Sequence, residues 1–344
     1  MSKPRTDKGI DIGKNFYLGA PAQDAVRHLL QKKIATVARA EALIDSGSEE
    51  ALHRFRVALR RLRTLLKSYR SEFDPGAKLR SQLKRLSDST NLARDQEVLI
   101  VWIESLRGLL TIPEEAINAI VIGLRDQTIG DSGAEVDYAA VKKRWQKIST
   151  RLGSRLSHSS GHASSGSDSR FDKVSGELIQ HLADQLQQKL QDFWADENIA
   201  AVHAARIAGK RLRYTLEPLN DSVAPVQGAL ALLSRLQDEM GTMNDRAVFV
   251  HQLSQYYRLV RDIETVGQLN RAIAADTLEP SELELPPVIL RLIERAATEQ
   301  QALYRGFADE WPALAGELFD TTDEVISFLG AGRQRDLSTN AGGE

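Results

Sequence analysis

The chain has 344 residues, 42% hydrophobic and 27% charged, with 45 Lys and Arg against 47 Asp and Glu for a net charge of −2. That length suits two ordinary domains, each with its own core, and the balance excludes both a disordered chain and one basic throughout, as general nucleic-acid binders are. With no cysteine, disulfides, thiol nucleophiles and thiolate metal sites are excluded, which fits a reducing cytosol. Val98–Ile103 is the longest clean apolar run, far short of the roughly 20 residues of a membrane span. The first 19 residues lack the continuous apolar core of a signal peptide. A soluble, cytoplasmic protein is expected.

Residues 1–19 read as a loose leader. From Pro21 to about Ala42 the spacing predicts an amphipathic helix, with Val26, Leu30, Ile34 and Val37 on one side and His28, Lys32 and Arg39 opposite. Ser46 followed by Glu49 has the form of a capping box. It opens the element around which the chain is organised, Ala51–Arg70, ALHRFRVALRRLRTLLKSYR. At about 100° per residue, His53, Arg56, Arg60, Arg63, Lys67 and Arg70 share an arc of roughly 100°. Leu52, Phe55, Leu59, Leu62, Leu66 and Tyr69 fall on the other side. A solvated face would mix charge signs to gain i,i+4 pairs. This one forgoes them, so an anion is expected to complete it.

Asp74-Pro75-Gly76 ends that helix. A long helix is predicted from Ala77 to about Leu110, Pro113 starts another segment, and Gly130–Gly133 breaks the chain. Tyr138–Leu156 reads as a second basic surface, taken as solvated rather than functional. His158–Ser169, HSSGHASSGSDS, is the clearest linker; its histidines read as low-complexity sequence, not as metal ligands.

Phe171–Ala195 is the next predicted helix. Asn198 then caps Ala201–Leu216, AVHAARIAGKRLRYTL. Pro218 and Pro225 close that element, Pro225 to about Asp262 forms a long helix, and Val288 to about Phe307 is the last strong one. Residues 316–344 read as a tail holding one short amphipathic piece, Glu324–Leu329. Alternating strand patterns are absent, so the fold class is all-α, most simply two four-helix bundles. The expected divisions are 1–19 leader, 20–157 first bundle, 158–170 linker, 171–315 second bundle and 316–344 tail.

The two basic helices share H-x-x-R-x-x-x-[RK]-R-x-R. His203, Arg206, Lys210, Arg211 and Arg213 each lie 150 positions after His53, Arg56, Arg60, Arg61 and Arg63. The same offset aligns Leu83, Arg85, Leu86, Asp88, Asp95 and Val98 with Leu233, Arg235, Leu236, Asp238, Asp245 and Val248. An insertion between the two segments would break this register, so the pattern reads as a tandem duplication.

LHRFRVALRRLR and VHAARIAGKRLRY, with LSDSTNLARDQEV and LQDEMGTMNDRAV after them, resemble the signature segments of the CHAD family, the conserved-histidine α-helical domain. The resemblance spans roughly residues 20–315. It implies two pseudo-symmetric four-helix bundles around a central basic channel, binding of inorganic polyphosphate there, and association with polyphosphate granules and other granule proteins. The E-x-E-x-K strand motif of an attached triphosphate-tunnel domain is missing, since Pro286 stands where Lys should follow Glu282 and Glu284; a free-standing CHAD protein is expected. The second copy departs from the first. Lys210 replaces Arg60, Glu217 stands opposite Lys67, Asn244 stands opposite Arg94, and Ala204 and Ala205 face Arg54 and Phe55. The first copy should therefore dominate affinity.

Chemistry agrees with such a ligand. Arg presents a planar fork to two phosphate oxygens and keeps its charge in any environment. The expected binding residues are His53, Arg56, Arg60, Arg61, Arg63 and Lys67 of the first copy and His203, Arg206, Lys210, Arg211, Arg213 and Tyr214 of the second. His28 and Lys32 join them from the preceding helix. Arg61 and Arg211 lie some 100° around from the row and either face the channel or pair with carboxylates; Arg85 and Arg235 read as structural. The two histidines, near their ordinary pKa of about 6.5, would gain charge beside phosphate.

No catalytic residue, metal or cofactor is called for. A phosphohydrolase is the competing reading, but no Walker loop, acidic Mg²⁺ cluster or H-x-x-x-H pair is present. A nucleic-acid module lacks stacking aromatics on the basic face apart from Tyr214. His53 and His203 have cations as neighbours and no carboxylate at i+3 or i+4, which disfavours a metal.

Overall fold

The computed structural model describes residues 16–44, 49–90, 92–109, 112–132, 137–158, 169–196, 199–274 and 284–340. All the regular elements among them are helices: a single turn α1 (Phe16–Gly19), α2 (Ala22–Ala42), α3 (Glu49–Ser68), α4 (Ala77–Asp88), α5 (Leu92–Ser105), α6 (Glu114–Ser132), α7 (Tyr138–His158), α8 (Phe171–Asp196), α9 (Ile199–Leu216), α10 (Val226–Ala274) and α11 (Leu285–Asn340). A 3₁₀ turn, Glu217–Leu219, follows α9. The all-α expectation holds. The leader to residue 15, the capping box at Ser46 and linker residues 159–168 lie outside the described residues.

Two helices are longer than expected and one is broken. The helix predicted over Ala77–Leu110 divides into α4 and α5. At the break, Ser89 Oγ donates to the Leu86 carbonyl at 3.0 Å and Thr90 Oγ1 to the Ser87 carbonyl at 2.9 Å. Short hydroxyl side chains that bond the backbone locally compete with the helix ladder. The matching stretch of the second copy continues without a break through α10 to Ala274. Residues 316–340 are not a tail: α11 runs on through Pro312 to Asn340, with Leu318, Val325 and Leu329 buried. Leu329 Cβ lies 3.7 Å from where a Cβ on Gly176 would stand, so this segment packs directly on α8.

Two hydrophobic cores result. The larger gathers the apolar faces of α2, α3, α4, α7, α8 and α9 with the first part of α10 and the later part of α11. It draws on both halves of the sequence, so the halves do not close their cores separately. Tyr69, just after α3, and Ser175 of α8 share a buried hydrogen bond of 3.1 Å across the halves, and burial pushes the Tyr69 phenol up to about 12. The smaller core joins Leu99–Leu106 and Ala116–Leu124 to Phe249–Val260 and Val288–Ala296. Thus α10 and α11 run through both cores, while the α4–α5 break falls at their seam. Gly209 lets α9 lie close to its neighbours, since a Cβ there would stand 3.2 Å from Leu236 and 3.8 Å from Leu186.

Candidate anion-binding site

The seam opens into a cleft of about 1040 Å³. Leu66 and Leu83 of the larger core and Val98 and Phe249 of the smaller one form its apolar floor. Its cations come from three helices and one turn. α3 supplies Arg60, Arg63 and Lys67, with Arg70 in the turn just after it; α4 supplies Arg80 and Lys84; α9 supplies Arg206, Lys210 and Arg211. His203, Tyr214, Asn244 and Asp245 complete the wall. Among the described residues, nine Lys and Arg therefore face one carboxylate, and amphipathicity is the reason. The leucines between the arginines must point into the core, so the arginines are turned outward in register.

Neighbours hold several of these cations in place. The Arg206 guanidinium lies 3.7 Å from the position a Cβ on Gly241 would take. His203 Nδ1 donates to Asn244 Oδ1 at 3.2 Å, so the residue replacing Arg94 in the second copy orients the histidine. Arg211 donates to Gln185 Oε1 at 2.9 Å while still bordering the cleft. Burial pushes Arg63 below the ordinary guanidinium range, with Asp88 opposing and Arg60 adding to the shift. Asp74, in the turn after α3, pins both Arg70 (3.1 Å) and Arg80. Partial burial works against its charged form, but donation from the Gly76 N–H, Arg80 and Arg70 outweighs it and holds the carboxyl down to about 2.

The expected residues divide. Arg60, Arg63, Lys67, His203, Arg206, Lys210, Arg211 and Tyr214 meet in the cleft; His53, Arg56, Arg61, Arg213, His28 and Lys32 are not among its lining residues. Arg56 is buried, at 6% exposure. Arg61 and Arg213 turn to Glu217, at 3.0 and 3.6 Å, because the chain after α9 brings that carboxylate between them. His28 lies on α2, where burial first and Lys32 second push its imidazole below the ordinary range. Lys32 is exposed on the same helix. On α7, Lys143, Arg144, Lys147 and Arg151 are exposed to solvent and the helix contributes nothing to the cleft wall.

Sequence reasoning left Thr64, Arg70, Arg80, Ser81, Lys84, Ile207, Asn244 and Asp245 out of the site, and all of them border the cleft. A signal existed for two of them, since Arg80 and Lys84 stand at i and i+4 on α4. Which way that face pointed depended on the α3–α4 turn. Among the described residues no group of three or more His, Cys, Asp or Glu gathers as a metal site, and no helix is long and apolar enough to cross a membrane.

The CHAD domain family model matches residues 28–254, more than half the chain and inclusive of both basic helices. The chain belongs to the CHAD family. The crystal structure of the CHAD domain from the plant Ricinus communis is 22% identical to this CHAD chain, with a TM-score of 0.59 over 80% of this chain and 94% of that one. At that identity the likeness concerns the fold. No curated protein matches the chain.

Proposed function

We propose that this CHAD protein is a non-catalytic binder of inorganic polyphosphate, that the seam cleft is where it binds, and that binding recruits the protein to polyphosphate granules and their other proteins. The observation that carries the reading is the convergence of α3, α4 and α9 on one cleft with nine cations and one carboxylate. Between Arg60 and Lys67, α3 rises roughly 10 Å, and Arg70 follows in the turn beyond it, so donors are spread along a path rather than focused on one point. A linear anion with about one charge per unit suits such a path. Each phosphate can be met by a charge-assisted fork or ammonium donor, and the counterions it sheds add to the driving force.

The cleft's aromatic residues favour an inorganic anion over a nucleic acid. Tyr214 and Phe249 are 6% and 1% exposed, leaving no ring face for a base to stack on. Arg and Lys stabilise phosphate charge without supplying a nucleophile or base, which supports binding rather than hydrolysis.

Titration of the full chain with long-chain polyphosphate at several salt concentrations, beside triphosphate, ATP and single-stranded RNA, tests the reading. Tight, steeply salt-dependent binding of the long chain and much weaker binding of the others is expected, with no phosphate released on incubation. Equal affinity for all four would reduce the cleft to a generic anion surface.

A further inference from the structure

At the position where the first copy has Lys67 in the cleft wall, the second copy has Glu217. Its carboxylate lies 3.0 Å from an Arg61 guanidinium nitrogen and 3.6 Å from Arg213 Nε. Lys33 of α2 feels both charges: burial pushes its ammonium down, Glu217 opposes that shift and Arg61 adds to it. Two arginines therefore share one carboxylate.

The cluster also holds donors that carboxylate does not satisfy. Arg61 Nε is buried with no hydrogen-bond partner among the described residues. Gln237 is 7% exposed; its Oε1 accepts from Arg213 at 2.9 Å, yet its Nε2 has no partner among them either. Buried donors left unmatched are costly, and a second acceptor would relieve them. The Arg61 and Arg213 side chains are 35% and 25% exposed, so solvent reaches the outer part of each. The site also borders the cleft. The Arg61 guanidinium sits 5.7 Å from the centre of the Tyr214 ring, and Tyr214 is a cleft residue.

The geometry points to a second anion subsite, formed by Arg61, Arg213 and Gln237, that takes a phosphoryl group and that Glu217 holds closed as an internal competitor. The role assigned to Glu217 rests on the reading of the neighbouring cleft as a phosphate site. It makes Glu217 the residue that limits how far a bound anion extends beyond Tyr214, and it explains why two arginines of the repeated motif stand outside the cleft.

Calorimetric titration of the full chain and of E217Q with inorganic triphosphate, at two salt concentrations, tests this. Removing the competing charge is expected to tighten binding roughly tenfold, the worth of one freed charge-assisted contact. The salt slope should steepen by about one for each cation engaged. Adding Arg61→Gln to E217Q should return affinity towards wild type. A folded E217Q that binds no tighter than wild type overturns the proposal. Should E217Q not fold, E217D draws the charge back by one methylene and must still show a gain. Wild type that binds neither triphosphate nor long-chain polyphosphate overturns the cleft reading instead; E217Q then decides the subsite alone, which stands if the variant binds and falls if it does not.

Discussion

Arg56 and Lys67 share one arc of α3, yet burial assigns them different work. Arg56 is enclosed, whereas Lys67 is exposed at the cleft. Replacing a buried guanidinium with Ala leaves a cavity and strips its contacts, so Arg56→Ala should lower unfolding free energy by about 1–3 kcal/mol in urea melts. Lys67→Gln should leave the melt unchanged, weaken polyphosphate binding and reduce the salt slope by about one. The opposite pattern would place the ligand at the head of α3 instead. The arc of the stripe was legible from helical periodicity. Burial along it was not, because that depends on which neighbours close over each end.

At the scale of the element, α6 meets α10 through a glycine. A Cβ on Gly123 would overlap the Tyr256 hydroxyl and stand 2.9 Å from its Cζ. Helix propensity alone favours Ala over Gly by about 1 kcal/mol, but overpacking costs roughly 1–3 kcal/mol, so the clash should win. Gly123→Ala is expected to lower the thermal midpoint, and Tyr256→Phe in the same chain to restore part of it. A rise in the midpoint with Ala would mean that the tyrosine swings away freely. Helix periodicity located α6 and α10 but could not tell that they touch here.

For the whole molecule, the cleft lies where the two cores meet and takes its walls from both halves of the chain. An anion bound there contacts elements that must be folded together, so it stabilises the native state by mass action. Triphosphate should raise the unfolding temperature of the full chain at low salt, and the rise should fade towards 1 M salt as the Debye length shrinks to about 3 Å. A shift that survives high salt would indicate contacts other than charge.

By itself the sequence determined the helical class, the two basic helices, their shared motif and the family they belong to. Each of these is carried by residues close together along the chain, where a period of 3.6 or a fixed spacing is visible. Tertiary structure alone decided that the last helix extends to Asn340, that α4 and α5 separate, and that Arg80 and Lys84 join the cleft. It also decided that Glu217 draws Arg61 and Arg213 aside. These outcomes depend on which distant side chains approach one another. A carboxylate becomes a partner by distance in space, and spacing along the chain does not record that distance.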